Sequence, residues 1–248
     1  MSLEELISNL TTEDLDLINK EFRKRQNKIP SFQFSKIRDI DLKRFVNIKE
    51  NLSREIFKAW FNENIVINSE TELFLKELID DNEILIKSYK EEDLKIYFIS
   101  PLLNKINFKS FENEVRGYYE EKLTYKTENF IFSGTTDFLV SKGLTESEKP
   151  YFFIQEFKKA EEYSNPRPQL LAELITGVEL NNWTFIKGAY IIGAIWNFVI
   201  LEKLGKDKYQ YFISQNFDST KIEDLKDIYK NLCVVKHDIF EMVKTDLS

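Results

Sequence analysis

The sequence predicts an α/β fold in the order helices, β-meander, helix, β-strands, helix, and three observations carry that expectation. Apolar residues keep helical spacing through most of the first hundred positions. From Phe111 the pattern changes to short aromatic and β-branched runs, which favour strands. Two later helices are marked by the proline pair at 166 and 168 and by an amphipathic stretch after 221. The 248 residues are 42% hydrophobic and 14% aromatic, with seven Gly and five Pro. That is enough apolar surface to offset chain entropy in one sizeable core, so disorder and collagen-like repeats are excluded.

Thr11-Thr12-Glu13-Asp14 opens a helix in which Leu15, Ile18 and Phe22 keep helical spacing, with Thr12 as its cap. Further helices are expected at 52–63, 70–89 and 90–104, which makes the first hundred residues mostly helical. The meander follows in five runs, Val115–Tyr119, Leu123–Tyr125, Phe130–Phe132, Thr136–Val140 and Tyr151–Phe157. Asn165-Pro166-Arg167-Pro168 starts a helix with Leu170, Leu171, Leu174, Ile175 and Val178 on a broad apolar face. Lys187–Glu202 and Tyr209–Gln215 read as strands. Ile222–Met242 closes the chain as a helix with Leu225, Ile228, Leu232, Val235 and Ile239 on one side. The expected division is a helical, locally basic region over 1–65 and an α/β domain over 66–248.

Composition narrows the chemistry. A single cysteine, Cys233, and a single histidine, His237, exclude an internal disulfide, zinc fingers and multi-histidine metal sites. Both are expected to be structural or surface residues, and Trp183 and Trp196 to belong to the core. Glu4 and Glu5 stand where an export signal carries basic residues, and the most apolar stretch, 189–201, is short for a bilayer span. A cytoplasmic location without membrane contact is expected. The formal net charge is −7, yet Lys20–Trp60 holds 12 basic and 5 acidic residues. Arg23, Lys24, Arg25 and Lys28, followed by Lys36, Arg38, Lys43 and Arg44, are candidates to hold a polyanion; a solvated helix face is the alternative.

The candidate chemistry lies in Ser133-Gly-Thr-Thr-Asp137-Phe-Leu-Val, a loop, and Tyr151-Phe-Phe-Ile-Gln-Glu156-Phe-Lys158. Strand alternation places Glu156 and Lys158 on one face. A hairpin closed symmetrically pairs positions whose numbers sum to about 292 or 293, which sets Asp137 across from Glu156. Two carboxylates on apolar strands repel and are costly to bury, whereas a hard divalent cation such as Mg²⁺ relieves the cost. With a lysine beside them they suit phosphodiester hydrolysis by an activated water. An exposed strand-end charge pair is the alternative on pattern alone.

These residues resemble the PD-(D/E)XK nuclease superfamily. Glu91-Glu-Asp-Leu-Lys-Ile-Tyr-Phe-Ile-Ser-Pro-Leu-Leu103, Ser133-Gly-Thr-Thr-Asp137-Phe, Gln155-Glu-Phe-Lys158 and Pro168-Gln169-Leu-Leu-Ala-Glu173 are similar to the N-terminal nuclease domain of type I restriction enzyme R subunits and to related stand-alone bacterial proteins. The resemblance covers roughly residues 66–235. It implies a restriction-endonuclease-like core of helix, meander, helix and strand. Asp137 and Glu156, with the Phe157 carbonyl, become ligands of Mg²⁺ or a substituting Mn²⁺, and Lys158 assists the water. A first-helix acid maps to Glu91, with Glu92 as fallback, and Gln169 lies near the site. Thr136 replaces the motif's proline. No phosphate-binding Gly-x-x-x-x-Gly-Lys motif is present, so ATP-driven translocation is not expected.

The resulting expectation is a Mg²⁺-dependent nuclease acting on DNA in a restriction or defence setting. A homodimer and a larger complex are both open. The competing class is a non-catalytic nucleic-acid-binding or assembly module that keeps the fold.

Overall fold

The computed structural model describes residues 10–26, 29–158 and 165–246. The N-terminal elements are α1 (Thr12–Gln26), β1 (Ser31–Gln33), α2 (Asp39–Phe45), β2 (Asn47–Glu50) and α3 (Lys58–Phe61). After α4 (Ser69–Asp80) come α5 (Glu91–Leu94), a π-helical stretch (Lys95–Ile99) and α6 (Ser100–Ile106). Then follow β3 (Val115–Lys126), β4 (Ile131–Lys142), β5 (Glu148–Lys158) and α7 (Pro166–Asn181). The chain finishes with β6 (Phe185–Ile192), β7 (Ile195–Gly205), β8 (Lys208–Ile213), β9 (Phe217–Asp218) and α8 (Ile222–Asp246).

The strands form one mixed sheet in the order β1-β4-β5-β6-β7-β8-β2, with β3 also paired to β4 and β9 to β7. The pairs β5–β6, β1–β4 and β2–β8 are parallel and the others antiparallel. The chain is therefore a mixed α/β protein with a long C-terminal helix. Each face of the sheet carries its own apolar core. On one face Leu75, Phe98, Leu102, Phe153, Phe198 and Ile228 are buried under α4, α6 and α8. On the other, Phe34, Leu42, Phe132, Ile154, Leu174 and Leu201 are buried around α7. The stripe expected on α8 is fully inside, with Leu225, Ile228 and Leu232 at 0% exposure.

The first hundred residues are less helical than their spacing suggests. β1 joins β4 and β2 joins β8, so the basic segment contributes two short strands to the sheet. Isolated tri- and tetrapeptide strands carry no period that a sequence window can read; only an existing sheet edge makes them pair. Phe57 and Trp60 enter the α8-side core, and Trp60 Nε1 donates to the Asn231 carbonyl at 2.8 Å. The expected 52–63 helix is a 3₁₀ turn (Glu55–Phe57) followed by α3, and the expected 70–89 helix ends at Asp80. Thr11, not Thr12, caps α1: its Oγ1 accepts the Asp14 N–H, and its own N–H and hydroxyl reach Asp14 Oδ2. Leu15, Ile18 and Phe22 stay about half exposed, so the spacing on α1 builds neither core.

The meander is three long strands rather than five short ones. The apparent breaks at Glu120 and Gly134 lie inside β3 and β4, where the backbone absorbs them without leaving the ladder. A Cβ at Gly134 would stand 2.8 Å from the Phe34 ring, so glycine there allows the N-terminal segment to close on β4. The single strand expected at 187–202 is the hairpin β6–β7, turned by Gly193 (φ 58°) and Ala194. Cys233 is partly buried against the α8-side core, and His237 is exposed. No helix among the described residues is long and apolar enough to cross a membrane.

Candidate active site

Strand register brings the carboxylates together. The β4–β5 ladder pairs Val140 with Phe153, Leu139 with Ile154 and Phe138 with Gln155, all summing to 293. The next step would pair Asp137 with Glu156, and there the two strands part. The Asp137 side chain fills the opening: its Oδ2 accepts the Phe157 backbone N–H at 2.9 Å. On the other edge of β4 the ladder to β3 also skips Asp137, opposite Glu120, whose φ is 57°. A left-handed backbone costs a non-glycine residue about 1 kcal/mol, and such strain persists where surrounding contacts hold it.

Three elements converge on Lys158 at the end of β5. Its Nζ lies 2.7 Å from Glu156 Oε1 and 4.0 Å from Asp137 Oδ2. It also donates to Glu91 Oε1 and to the Phe157 carbonyl, each at 3.2 Å. Glu91 arrives from the opposite layer on α5, whose start is fixed by Asp93 accepting the Lys90 N–H. Of the two candidate acids there, Glu91 faces the site and Glu92 is exposed. The helix carrying Glu91 passes through the π-helical stretch before α6 because Pro101 has no N–H to give the Tyr97 carbonyl; the Ser100 N–H instead reaches back to the Lys95 carbonyl.

The second helix closes the site from the α7 side. Asn165 caps α7 by accepting the Arg167 N–H at 2.9 Å, and Pro166 fits its first turn. Close docking requires Gly188 on β6, where a Cβ would meet the Ile154 carbonyl at 2.7 Å and Leu174 at 2.8 Å. Nearly every residue from Pro166 to Val178 is buried, so the helix is covered all round rather than on one face. Gln169 is among them, and its Nε2 donates to Glu173 Oε1 at 3.1 Å. Glu173 is fully buried, and its Oε2 has no hydrogen-bond partner among the described residues. Its spacing four residues after Gln169 in an apolar helix was the legible signal for it.

Burial dominates the electrostatics. Glu156 is at 0% exposure, and burial raises its proton affinity far above that of an ordinary carboxylate; Glu173 and then Asp137 raise it further. Burial likewise raises Glu173, against the Gln169 hydrogen bond. Asp137 is raised by burial, less so because Lys158 and the Phe157 N–H oppose it. For Lys158, burial alone would favour the neutral amine, but Glu156 and Asp137 outweigh it and hold the ammonium above the usual lysine range. More carboxylate is buried here than one lysine neutralises.

A second lysine borders the cluster. Lys95, on the π-helical stretch, is ion-paired with Glu120 and lies 5.8 Å from the Phe157 ring and 5.9 Å from that of Tyr119. Its position one helical turn after Glu91 is the only sequence signal that could have singled it out. Of the other candidates, Arg23, Lys24 and Arg25 lie on α1, but their side chains, and Lys28 altogether, fall outside the described residues.

The donor set fits a hard divalent cation. Asp137 and Glu156 offer carboxylate oxygens, Glu156 Oε2 is buried without a hydrogen-bond partner among the described residues, and the Phe157 carbonyl faces the same ammonium. Among the described residues no group of three or more His, Cys, Asp or Glu side chains is placed to hold a metal ion, so a cation here would rest on two carboxylates, a carbonyl and water. Such an open set suits Mg²⁺, which keeps several waters and binds through one or two carboxylates.

No protein-family model and no curated protein matches the chain. Among solved structures it is similar to a chain of a DrdV–DNA complex determined by cryo-electron microscopy, at 12% identity and a TM-score of 0.36 over 66% of this chain. It spans only 13% of that chain's length. It is also similar to an alkaline exonuclease from Laribacter hongkongensis, at 10% identity and a TM-score of 0.24, covering 79% of this chain and 98% of that one. Overlap this loose carries no functional argument, so the chemistry must be read from the site.

Proposed function

We propose that this protein is a divalent-metal-dependent nuclease that hydrolyses phosphodiester bonds, with DNA as its substrate. The observation that carries the reading is the excess of buried carboxylate at the parted end of β4 and β5, where, among the described residues, Glu156 Oε2 has no hydrogen-bond partner and Lys158 is shared by three acids. A buried, unpartnered carboxylate oxygen costs several kcal/mol unless a cation answers it.

Asp137, Glu156 and the Phe157 carbonyl would hold Mg²⁺ or Mn²⁺. When bound, the metal supplies Lewis-acid polarisation of the phosphate and an acidified water. The protein's own groups do the rest. The Phe157 N–H orients the Asp137 carboxylate. The Lys158 ammonium, held between Glu91 and Glu156, orients the attacking water and offsets charge developing on the phosphate. Gln169 and Glu173 back Glu156 from α7. A restriction or defence setting and a restriction-endonuclease-like core are part of the proposal, supported by the motif resemblance and by the parallel β5–α7–β6 crossover.

The test is cleavage of supercoiled, linear and single-stranded DNA with Mg²⁺ or Mn²⁺, comparing wild type with Asp137→Ala and Lys158→Ala and with an EDTA control. Metal-dependent cutting that both substitutions abolish is the expected result. DNA binding retained in all three proteins without cutting under any condition would instead make the chain a binding module.

A further inference from the structure

We propose that the cleft between α2, β2 and the start of α7 holds the phosphodiester backbone of the nucleic-acid strand presented to the site. The proposal rests on the nuclease reading for the class of ligand, while its residues are separate from the metal-binding carboxylates. The cleft measures about 860 Å³ and is lined by Lys43, Arg44, Lys49 and Arg167.

The charges in this cleft are engaged unequally. Its two acids are taken: Asp39 Oδ2 accepts from Arg167 Nη2 at 2.7 Å, and Glu50 Oε2 accepts from the Tyr211 hydroxyl at 3.2 Å. Asp41, also on α2, is occupied by the Arg38 backbone N–H. Lys43, Arg44 and Lys49 are exposed, and among the described residues none of them is ion-paired with a carboxylate. Arg44 lies over the Phe45 ring at 5.5 Å, and Arg167 Nε is buried without a hydrogen-bond partner among the described residues. Four other lysines of the body, Lys105, Lys187, Lys203 and Lys226, each have a carboxylate partner within 3 Å. A protein of net charge −7 thus gathers three exposed cations without a carboxylate partner among the described residues in this concave place.

Three free cations spread over a helix and a strand, with the Asp39-paired Arg167 on a second helix, match a ligand with repeating charge better than a single small anion. The cleft adjoins the first turns of α7 through Arg167 and Leu171. Arg167 precedes Gln169 by two residues on α7 and stands about 9 Å along the helix axis from Glu173, which backs Glu156. A strand bound against Arg167 lies less than two helical turns from the residue that backs Glu156.

The experiment is fluorescence anisotropy with a labelled single-stranded oligonucleotide and its duplex, in EDTA so that nothing is cut, across a salt series. Lys43→Glu/Lys49→Glu should weaken binding by about tenfold or more and flatten the slope of log affinity against log salt by about one to two. Lys43→Gln/Lys49→Gln should move the same way by less. Lys87→Glu/Lys109→Glu, an equal charge change at exposed lysines outside the cleft, should stay within about twofold, and melting temperatures should confirm that all variants fold. A cleft pair that loses no more than this control, or a wild type that binds neither oligonucleotide, overturns the proposal. Parallel Mg²⁺ cleavage separates the two readings. Cutting with unaltered binding by the cleft variants sinks the cleft alone, and cleft-dependent binding without cutting sinks the nuclease alone.

Discussion

Lys158 and Lys187 sit at opposite ends of the β5–β6 pair and are almost equally buried, at 15% and 17% side-chain exposure. Lys187 meets one carboxylate, Asp238 Oδ2 at 2.6 Å, and lies 4.6 Å from the Trp60 ring centre. Lys158 meets Glu156, Glu91 and Asp137, with Glu173 behind them. One end is balanced charge that joins α8 to the sheet. The other concentrates negative charge that the fold does not neutralise, which is disfavoured unless a ligand completes it. The ratio of carboxylates to cations, rather than the presence of a buried lysine, separates a structural pair from a candidate site.

The largest expected effect is on catalysis. Lys158→Ala should lower the initial rate of Mg²⁺-dependent DNA cleavage by about 10²- to 10⁴-fold, and Lys187→Ala by no more than a few-fold. Equal losses in both would erase the distinction between the two ends. Next comes stability in EDTA, where the signs should oppose. Asp238→Asn breaks a balanced pair and should cost about 1 to 3 kcal/mol in urea unfolding, whereas Glu156→Gln removes a buried charge and should stabilise by about 1 to 2 kcal/mol. A destabilised Glu156→Gln protein would mean that its ion pair with Lys158 outweighs the burial.

The same contrast sets a pH dependence. Glu156 and Glu173 have proton affinities raised above the unfolded value of 4.5, so above that pH the folded protein holds more protons than the unfolded chain. Their contribution favours folding below 4.5 and is lost progressively as pH rises toward the folded values. Metal-free protein should therefore melt at a higher temperature at pH 5.5 than at pH 7.5, with a shallower decline in Glu156→Gln. The smallest effect is expected from Glu91→Gln. At 41% exposure Glu91 should change stability by less than about 0.5 kcal/mol, while a several-fold loss of cleavage would show that it orients Lys158.

Much of the site was legible because short-range rules decide it. A period of two put Glu156 and Lys158 on one face, and symmetrical hairpin closure put Asp137 across from Glu156, in the register that β4 and β5 adopt over three consecutive pairs. Asn165 and Pro166 announced α7 from local capping chemistry alone. The five short meander runs were misleading for the complementary reason: a positive φ at Glu120 interrupts the side-chain pattern without shifting the register of the strands.

The sequence by itself determined the order of the main elements, the register of the central hairpin and the chemical types that line its end, because each depends on neighbours a few bonds or one turn away. Only the tertiary structure decided that Glu91 reaches Lys158 from another layer, that Glu173 lies buried behind Glu156, and that β1 and β2 pair with distant strands. Those outcomes depend on how two helical layers close on the two faces of one sheet. Packing across that distance leaves no period in the chain, and it is the packing that gathers more carboxylate than cation at one end of β5.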